Sequence, residues 1–357
     1  MSGYILLGIF LISFLLCVLD FKKDKKNNNT YFWVFIIFLI IISSIKNEYT
    51  SSDTANYIIS FNKARGLSDF LAIENFRYEP GYTFLELLIK DTFNDYSILF
   101  FTISLVSLTL LGNIIQKHSP YPFFSLFIYI LLFYFKRDII TIRYGVSCVF
   151  MLAAIIAIFN KEKIKSIIWM ILSFLFHYTA LSGLLFLFVY YIFKDRIRTL
   201  EIIIAYAFPL AILGVTILSI IIKIQEILPP FFQYAISKGT AYLGEEESAG
   251  FKQVVLYIPF CFLIHYLNLL KSRHIKGLYI SLLFAILMMI ELNQAATFSR
   301  VNQMYLTSII ILVPLILKQI KHRKNFICLY SYTMLLSIYM FIRITFFNSG
   351  GFINVHW

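Results

Sequence analysis

Residues 139–159 read IITIRYGVSCVFMLAAIIAIF, an apolar run with one charge, Arg143. Hydrocarbon about 30 Å thick calls for roughly 17–25 such residues per helix. A chain crossing it must also satisfy its own backbone groups, which favours helices over open strands. Similar runs recur outward in both directions, near 3–20, 31–45, 96–115, 121–135, 166–178, 180–193, 200–222, 253–270, 277–292, 300–317 and 325–343. The pattern predicts an all-α, polytopic integral membrane protein with about twelve transmembrane helices, residues 1–357 forming a single transmembrane domain. The alternating ~10-residue strands of an outer-membrane barrel are absent.

Composition agrees. Hydrophobic residues make up 60% of the 357 and charged ones only 14%, too little polar surface for a soluble domain of this size. The first run has no basic residue before it and no small-residue cleavage site after it, so it reads as a retained anchor. Cys17, Cys148, Cys261 and Cys328 sit in apolar runs and read as packing residues rather than disulfide or metal partners. The net charge of +12 does not indicate nucleic acid, because the lysines are spread over short loops.

Those loops set an orientation. Segments 20–26, 117, 161–165, 194–201, 271–276 and 318–324 carry 18 of the 31 basic residues and 5 of the 19 acidic ones, leaving 13 and 14 elsewhere. The positive-inside rule puts the first set in the cytoplasm, with both termini outside. The stretch 166–193 reads as a tight hairpin of two short helices turning near His177, which keeps Lys194, Arg196 and Arg198 with the other basic loops.

Two outer loops are long, 46–95 and 223–252. In the first, Pro80-Gly81 precedes Tyr82–Phe93, whose Phe84, Leu85, Leu87, Leu88 and Ile89 suggest an interfacial or re-entrant helix. In the second, glycines flank Glu245-Glu246-Glu247, the pattern of a lid or of a solvated loop.

Orientation leaves some outward cations unexplained. Lys136, Arg137 and Arg143 lie at the outer end of spans four and five, Arg300 opens span eleven and Arg343 closes span twelve. On a continuous helix Lys136 and Arg143 would share a face. Ionisable groups at the bilayer are costly unless paired or hydrated. They either pair with Asp138, Glu291 or headgroup phosphates, or as a set they hold an anion. The planar guanidinium fork suits a diphosphate, which a lipid-linked substrate would bring to this level. His177 could act as general base or bond a diphosphate, or be a satisfied interfacial histidine. Asp53, Asn56 and Tyr57 share a face if helical. With Arg77 and Glu79 they suit a hydroxyl-rich sugar and could supply a base, or they form an ordinary hydrated loop.

No phosphate-binding glycine loop is present. Neither is a His-Glu-x-x-His pattern, a cysteine pair at zinc spacing or an Asp-x-Asp pair. The expected chemistry uses an activated substrate, no metal and no cofactor.

The order of four motifs resembles the EpsG-like branch of the Wzy-type polysaccharide polymerases. These are Ser52-Asp53-Thr54-Ala55-Asn56-Tyr57, Tyr78-Glu79-Pro80-Gly81-Tyr82, Arg143-Tyr144-Gly145 running on to Ala153-Ala154, and Phe176-His177-Tyr178-Thr179-Ala180-Leu181. Arg300 with Tyr305 is similar to a later arginine-tyrosine element. Such proteins often carry glutamine and alanine after the first arginine, where this chain has Tyr144 and Gly145.

The resemblance implies a polymerase of O-antigen, capsule or exopolysaccharide in the bacterial cytoplasmic membrane, with its active site facing the periplasm. It would move a growing undecaprenyl-diphosphate-linked glycan onto an undecaprenyl-diphosphate-linked repeat unit. Arg143 and Arg300 would hold the donor diphosphate, helped by Lys136, Arg137 and Arg343. His177 would be the base, with Asp53 and Glu79 in reserve. Asn56, Tyr57, Arg77 and Tyr305 would contact sugar. Partners would be these glycans, membrane lipids and a chain-length regulator. Alternatives are a flippase for lipid-linked repeats, an O-antigen ligase and a membrane O-acyltransferase. A flippase would place its charges nearer the midplane, often in repeated halves.

Overall fold

A computed structural model describes residues 3–21, 25–71, 77–212, 267–291 and 296–342, with isolated positions between 213 and 266. Among these there is no strand. The helices in chain order are α1 Gly3–Leu16, α2 Lys25–Ser44, α3 Ser52–Lys63, α4 Pro80–Thr92, α5 Tyr96–His118, α6 Pro122–Tyr129, α7 Ile142–Phe159, α8 Lys163–Phe176, α9 Ser182–Phe193, α10 Ile197–Ile212, α11 Arg273–Glu291, α12 Ala296–Leu306, α13 Ile309–Gln319 and α14 Arg323–Ile342. Four helical stretches are long and apolar enough to cross a membrane: Tyr96–His118, Ile142–Phe159, Arg273–Glu291 and Arg300–Gln319. Shorter apolar ones span Ile5–Phe21, Asn28–Ser44 and Tyr178–Phe193. The chain is a multi-pass membrane protein. The expected lid at 223–252 lies outside the described residues, apart from Lys223.

The chain forms two compact units. The first comprises Met1–Ala153, Ile168–Tyr178 and Val313–Trp357. Within it Asp20 closes the start of α6: its carboxylate accepts from the Phe123 and Phe124 amides at 3.1 and 2.8 Å, the charge a helix N-terminus favours. Pro122 at the first turn needs no donor there.

After Tyr129 the winding widens. Residues Ile130–Ile140 form a π-helix, closed by the Thr141 amide bonding the Lys136 carbonyl at 2.9 Å. Thr141 then turns away (φ −93°, ψ 60°). The expected shared face of Lys136 and Arg143 is therefore not formed, because the helix carrying Lys136 ends before α7 begins. Two further contacts hold the wide segment. Lys46 donates to the carbonyls of Asp138 and Ile139 at 2.8 and 3.0 Å, a cation on orphan C-terminal carbonyls. The buried Asp138 carboxylate accepts from Tyr129 Oη at 2.5 Å and Ser107 Oγ at 3.1 Å. Asp138, expected as a possible partner for the outward cations, is here bonded by these two hydroxyls.

Helices α7 and α8 are joined by a reciprocal pair. Ser147 Oγ donates to the Ser173 carbonyl at 2.8 Å and Ser173 Oγ to the Ser147 carbonyl at 2.7 Å. Small hydroxyl residues allow such close approach between membrane helices. Phe150 packs beside them on Trp169 and Phe176, each at 5.7 Å. Helix α8 stops at Phe176; His177 is non-helical and a 3₁₀ turn, Tyr178–Leu181, follows. One long helix over 166–193 is thus ruled out, and the interruption falls where the hairpin reading put its turn.

The second unit comprises Ala154–Ile167 and Thr179–Leu312. Helix α11 is buried along almost its whole length. Gly277 lets it approach Phe159 so closely that a Cβ would lie 2.5 Å from that ring. The four cysteines carry no disulfide; Cys17 and Cys148 are buried, Cys261 is half-buried and Cys328 is exposed.

Candidate functional site

Three sequence-distant segments of the first unit meet around one guanidinium. The first is α3, started by Ser51, whose side chain accepts from the Thr54 amide at 3.1 Å. Asp53 follows in its first turn. The helix forms as the spacing of Asp53, Asn56 and Tyr57 requires, and Tyr57 is its buried member, 4% exposed. The second is α4, opened by Pro80 at its first turn. It buries Tyr82 and Glu86 on one face, four residues apart as helical geometry dictates. Its start abuts the end of α8: a Cβ on Gly81 would lie 2.8 Å from the Leu175 carbonyl oxygen. The third is the first turn of α7, which supplies Arg143.

Arg143 pairs with Glu79. Its guanidinium carbon lies 4.2 Å from the ring centre of Tyr78, 5.5 Å from Tyr57 and 5.7 Å from Tyr82. The rings touch one another as well, with centroids 5.3–5.6 Å apart. A cation set over aromatic faces is held by their quadrupoles, more strongly when desolvated. The Arg143 side chain keeps 17% of its surface exposed and Glu79 only 5%. At the rim, Arg77 donates to Asn56 Oδ1 at 3.3 Å and covers Tyr78 at 5.3 Å. Tyr178, 52% exposed, feels the charges of both Glu79 and Arg143. The Tyr78 and Tyr82 hydroxyls, Glu86 Oε1 and Arg143 Nε are buried without a hydrogen-bond partner among the described residues.

A second chain of contacts runs beside the cage. His177, 7% exposed, sets its ring edge-on to Tyr144 at 5.2 Å and 70°. Arg137 also lies by the Tyr144 ring, at 5.6 Å. Arg137 is fully buried, with its guanidinium 3.9 Å from the Phe133 ring. Gly145 makes this possible, since a Cβ there would lie 2.6 Å from the Arg137 carbonyl oxygen. Tyr144 thus stands between His177 and Arg137, and Gly145 admits the Arg137 backbone.

Asp53, Asn56, Tyr57, Arg77, Glu79, Arg143 and His177 thus belong to one unit. Lys136 lies half-buried in the π-helix of that unit. Arg300 lies half-buried in α12 of the second unit. Tyr305 is fully buried there, sharing a hydrogen bond with Ser182 Oγ at 2.9 Å and packed on Phe186 and Phe284, a place in the core. Arg343 falls outside the described residues. No group of three or more metal-ligating side chains occurs among the described residues.

Sequence reasoning assigned no role to Tyr78, Tyr82, Glu86, Tyr144 or Tyr178. A signal for three of them was present: Tyr78, Tyr82 and Glu86 recur every four residues, one helical face. Burial pushes the Glu86 carboxyl up from the usual 4.5 to about 7, against the pull of Ser60, Arg143 and Arg77. A raised carboxyl pKa stabilises the fold below its unfolded value and forfeits that stability as pH rises towards 7, at about 1.4 kcal/mol per unit of difference. Glu86→Gln should therefore raise the melting temperature in detergent at pH 8, by about 2 °C or more, and leave it unchanged at pH 4. An equal change at both pH values would contradict a carboxyl of this kind.

Comparison with known proteins bears on this arrangement. The sequence matches the EpsG family over residues 29–356, nearly its whole length. The chain belongs to the EpsG family. A relative of this EpsG protein is the amylovoran biosynthesis protein AmsC of Erwinia amylovora, 24% identical over 197 residues. That alignment covers 54% of this chain and 52% of AmsC, so the chain spans about half the length of the curated relative it matches. No solved structure matches the EpsG chain.

Proposed function

We propose that this EpsG protein is a polysaccharide polymerase of the bacterial cytoplasmic membrane, working at the periplasmic face on two undecaprenyl-diphosphate-linked glycans. The observation that carries the reading is the Arg143 guanidinium, tied to Glu79 inside a cage of three tyrosines. Glu79 and the rings hold the fork in one orientation, so little reorganisation is needed when charge develops opposite it. The unspent polar atoms of Tyr78, Tyr82, Glu86 and Arg143 suit a partner rich in oxygen, such as a diphosphate or a sugar.

In the reaction, a hydroxyl of the acceptor repeat attacks the anomeric carbon of the growing glycan. The anomeric carbon–oxygen bond to the diphosphate breaks, and its electron pair leaves with undecaprenyl diphosphate. Arg143 stabilises the charge gathering there. The hydroxyl proton passes to His177, whose ring is oriented by Tyr144. Glu79 is engaged with Arg143 and serves to position it; Asp53 is the reserve base. Arg77, Asn56 and Tyr178, at the rim, are assigned to sugar.

The test is what accumulates when the gene is deleted. A polymerase deletion leaves single repeat units on the surface glycolipid. A flippase deletion leaves none, and a ligase deletion removes surface glycan altogether; either result would overturn this reading.

A further inference from the structure

A concavity of about 400 Å³ opens in the second unit, apart from the tyrosine cage. It is built from 194–198 at the start of α10, from Ile264, His265, Asn268 and Leu270, and from Lys276 on α11. Lys194, Arg196, Arg198 and Lys276 line it with one acid, Asp195. None of these four cations has a carboxylate within 4 Å among the described residues. The nearby Glu201 is already committed, accepting from Tyr279 Oη at 2.8 Å and contacting His265 Nε2 at 2.5 Å. That contact also fixes the His265 wall. Ile197, Ile264 and Leu270 complete its lining with apolar surface. The positive end of the 16-residue α10 adds to the field.

Orientation alone needs basic loops but no concavity, and it does not gather cations from separate segments into one cavity with apolar lining residues. We propose that this cavity binds a phosphate-ester anion, and that its source is the headgroup of an anionic phospholipid. Guanidinium forks match phosphate oxygens, and the volume lies within the range of small-molecule sites. The lipid source is favoured by the rest of α10. Farther along α10, Ile202, Ile203, Tyr206 and Leu210 are all more than 40% exposed, a surface for acyl chains leading away from the headgroup. The inference does not depend on the catalytic reading.

The test uses the purified full chain and native mass spectrometry with phosphatidylglycerol or phosphatidylcholine, alongside thermal shifts in inorganic phosphate. Phosphatidylglycerol should bind at least about tenfold more tightly than phosphatidylcholine. The triple variant Arg196→Gln, Arg198→Gln, Lys276→Gln should lose that preference. Arg196→Gln alone, a milder change, should weaken it about threefold. A control carrying Lys161→Gln, Lys163→Gln and Lys165→Gln removes as many basic charges elsewhere and should keep it. Stabilisation by millimolar inorganic phosphate without lipid, lost in the first triple variant, would keep the phosphate site and assign it a soluble source. Equal binding of the two lipids with no phosphate response, or equal loss in the control, would overturn the proposal.

Discussion

Replacing Arg143 by alanine is expected to cut polymer formation by about 10²–10³-fold, the scale for losing one preorganised charge-stabilising donor. Lysine at this position keeps the charge but not the fork, and should recover only a minor part. The change also strands Glu79, a carboxylate 5% exposed, and an orphaned buried charge is destabilising by about 3–5 kcal/mol. Lost activity alone would therefore not separate chemistry from folding. The double variant Arg143→Ala, Glu79→Gln does separate them. It removes the stranded charge, so its melting temperature should return towards that of the native protein while polymer formation stays lost. Recovery of both together would reduce Arg143 to a structural role. Melting is read on purified protein, and polymer length on surface glycan ladders at equal expression.

Gly145→Ala is the second large effect. Its Cβ would meet the Arg137 carbonyl oxygen at 2.6 Å and the carbonyl carbon at 2.9 Å. Both are backbone atoms, so no side-chain rotation relieves the overlap, and α7 would have to shift away from the π-helix. Overpacking of this kind costs about 1–3 kcal/mol or more. Tyr144 and Arg143 begin the same turn, so activity should fall with stability. Gly8→Ala is the matched control, since nothing lies within 4 Å of the Cβ it would add. Melting temperature should drop by several degrees for Gly145→Ala and stay put for Gly8→Ala. Native melting of Gly145→Ala would show that the close approach is not needed.

The helical class was legible because apolar run length answers to a slab of fixed thickness. Asp53, Asn56 and Tyr57 were legible as a face because a helix repeats every 3.6 residues. The interruption at His177 was legible from the need to keep the basic loops together. What stayed hidden depended on partners remote in sequence. Nothing local announces that Lys46 will bond the carbonyls of Asp138 and Ile139, about ninety residues on. The π-winding of 130–140 has no compositional mark, and so the shared face assigned to Lys136 and Arg143 did not form. Arg137 read as an outward cation because it sits at the outer end of a span; its burial follows from Phe133, Tyr144 and a glycine on the next helix. The tyrosine cage was half visible, through the four-residue spacing of Tyr78, Tyr82 and Glu86, but its third ring comes from α3.

The π-helix makes chain length itself a working dimension of this protein. Thr141 ends the wide winding and fixes the angle at which α7 sets off, so the number of residues from Asp138 to Arg143 acts as a phase setting. One residue more or fewer would turn α7 by about 100°, carrying Arg143 off its tyrosines. A substitution along 130–142 leaves that residue count unchanged, whereas a single-codon insertion or deletion alters it.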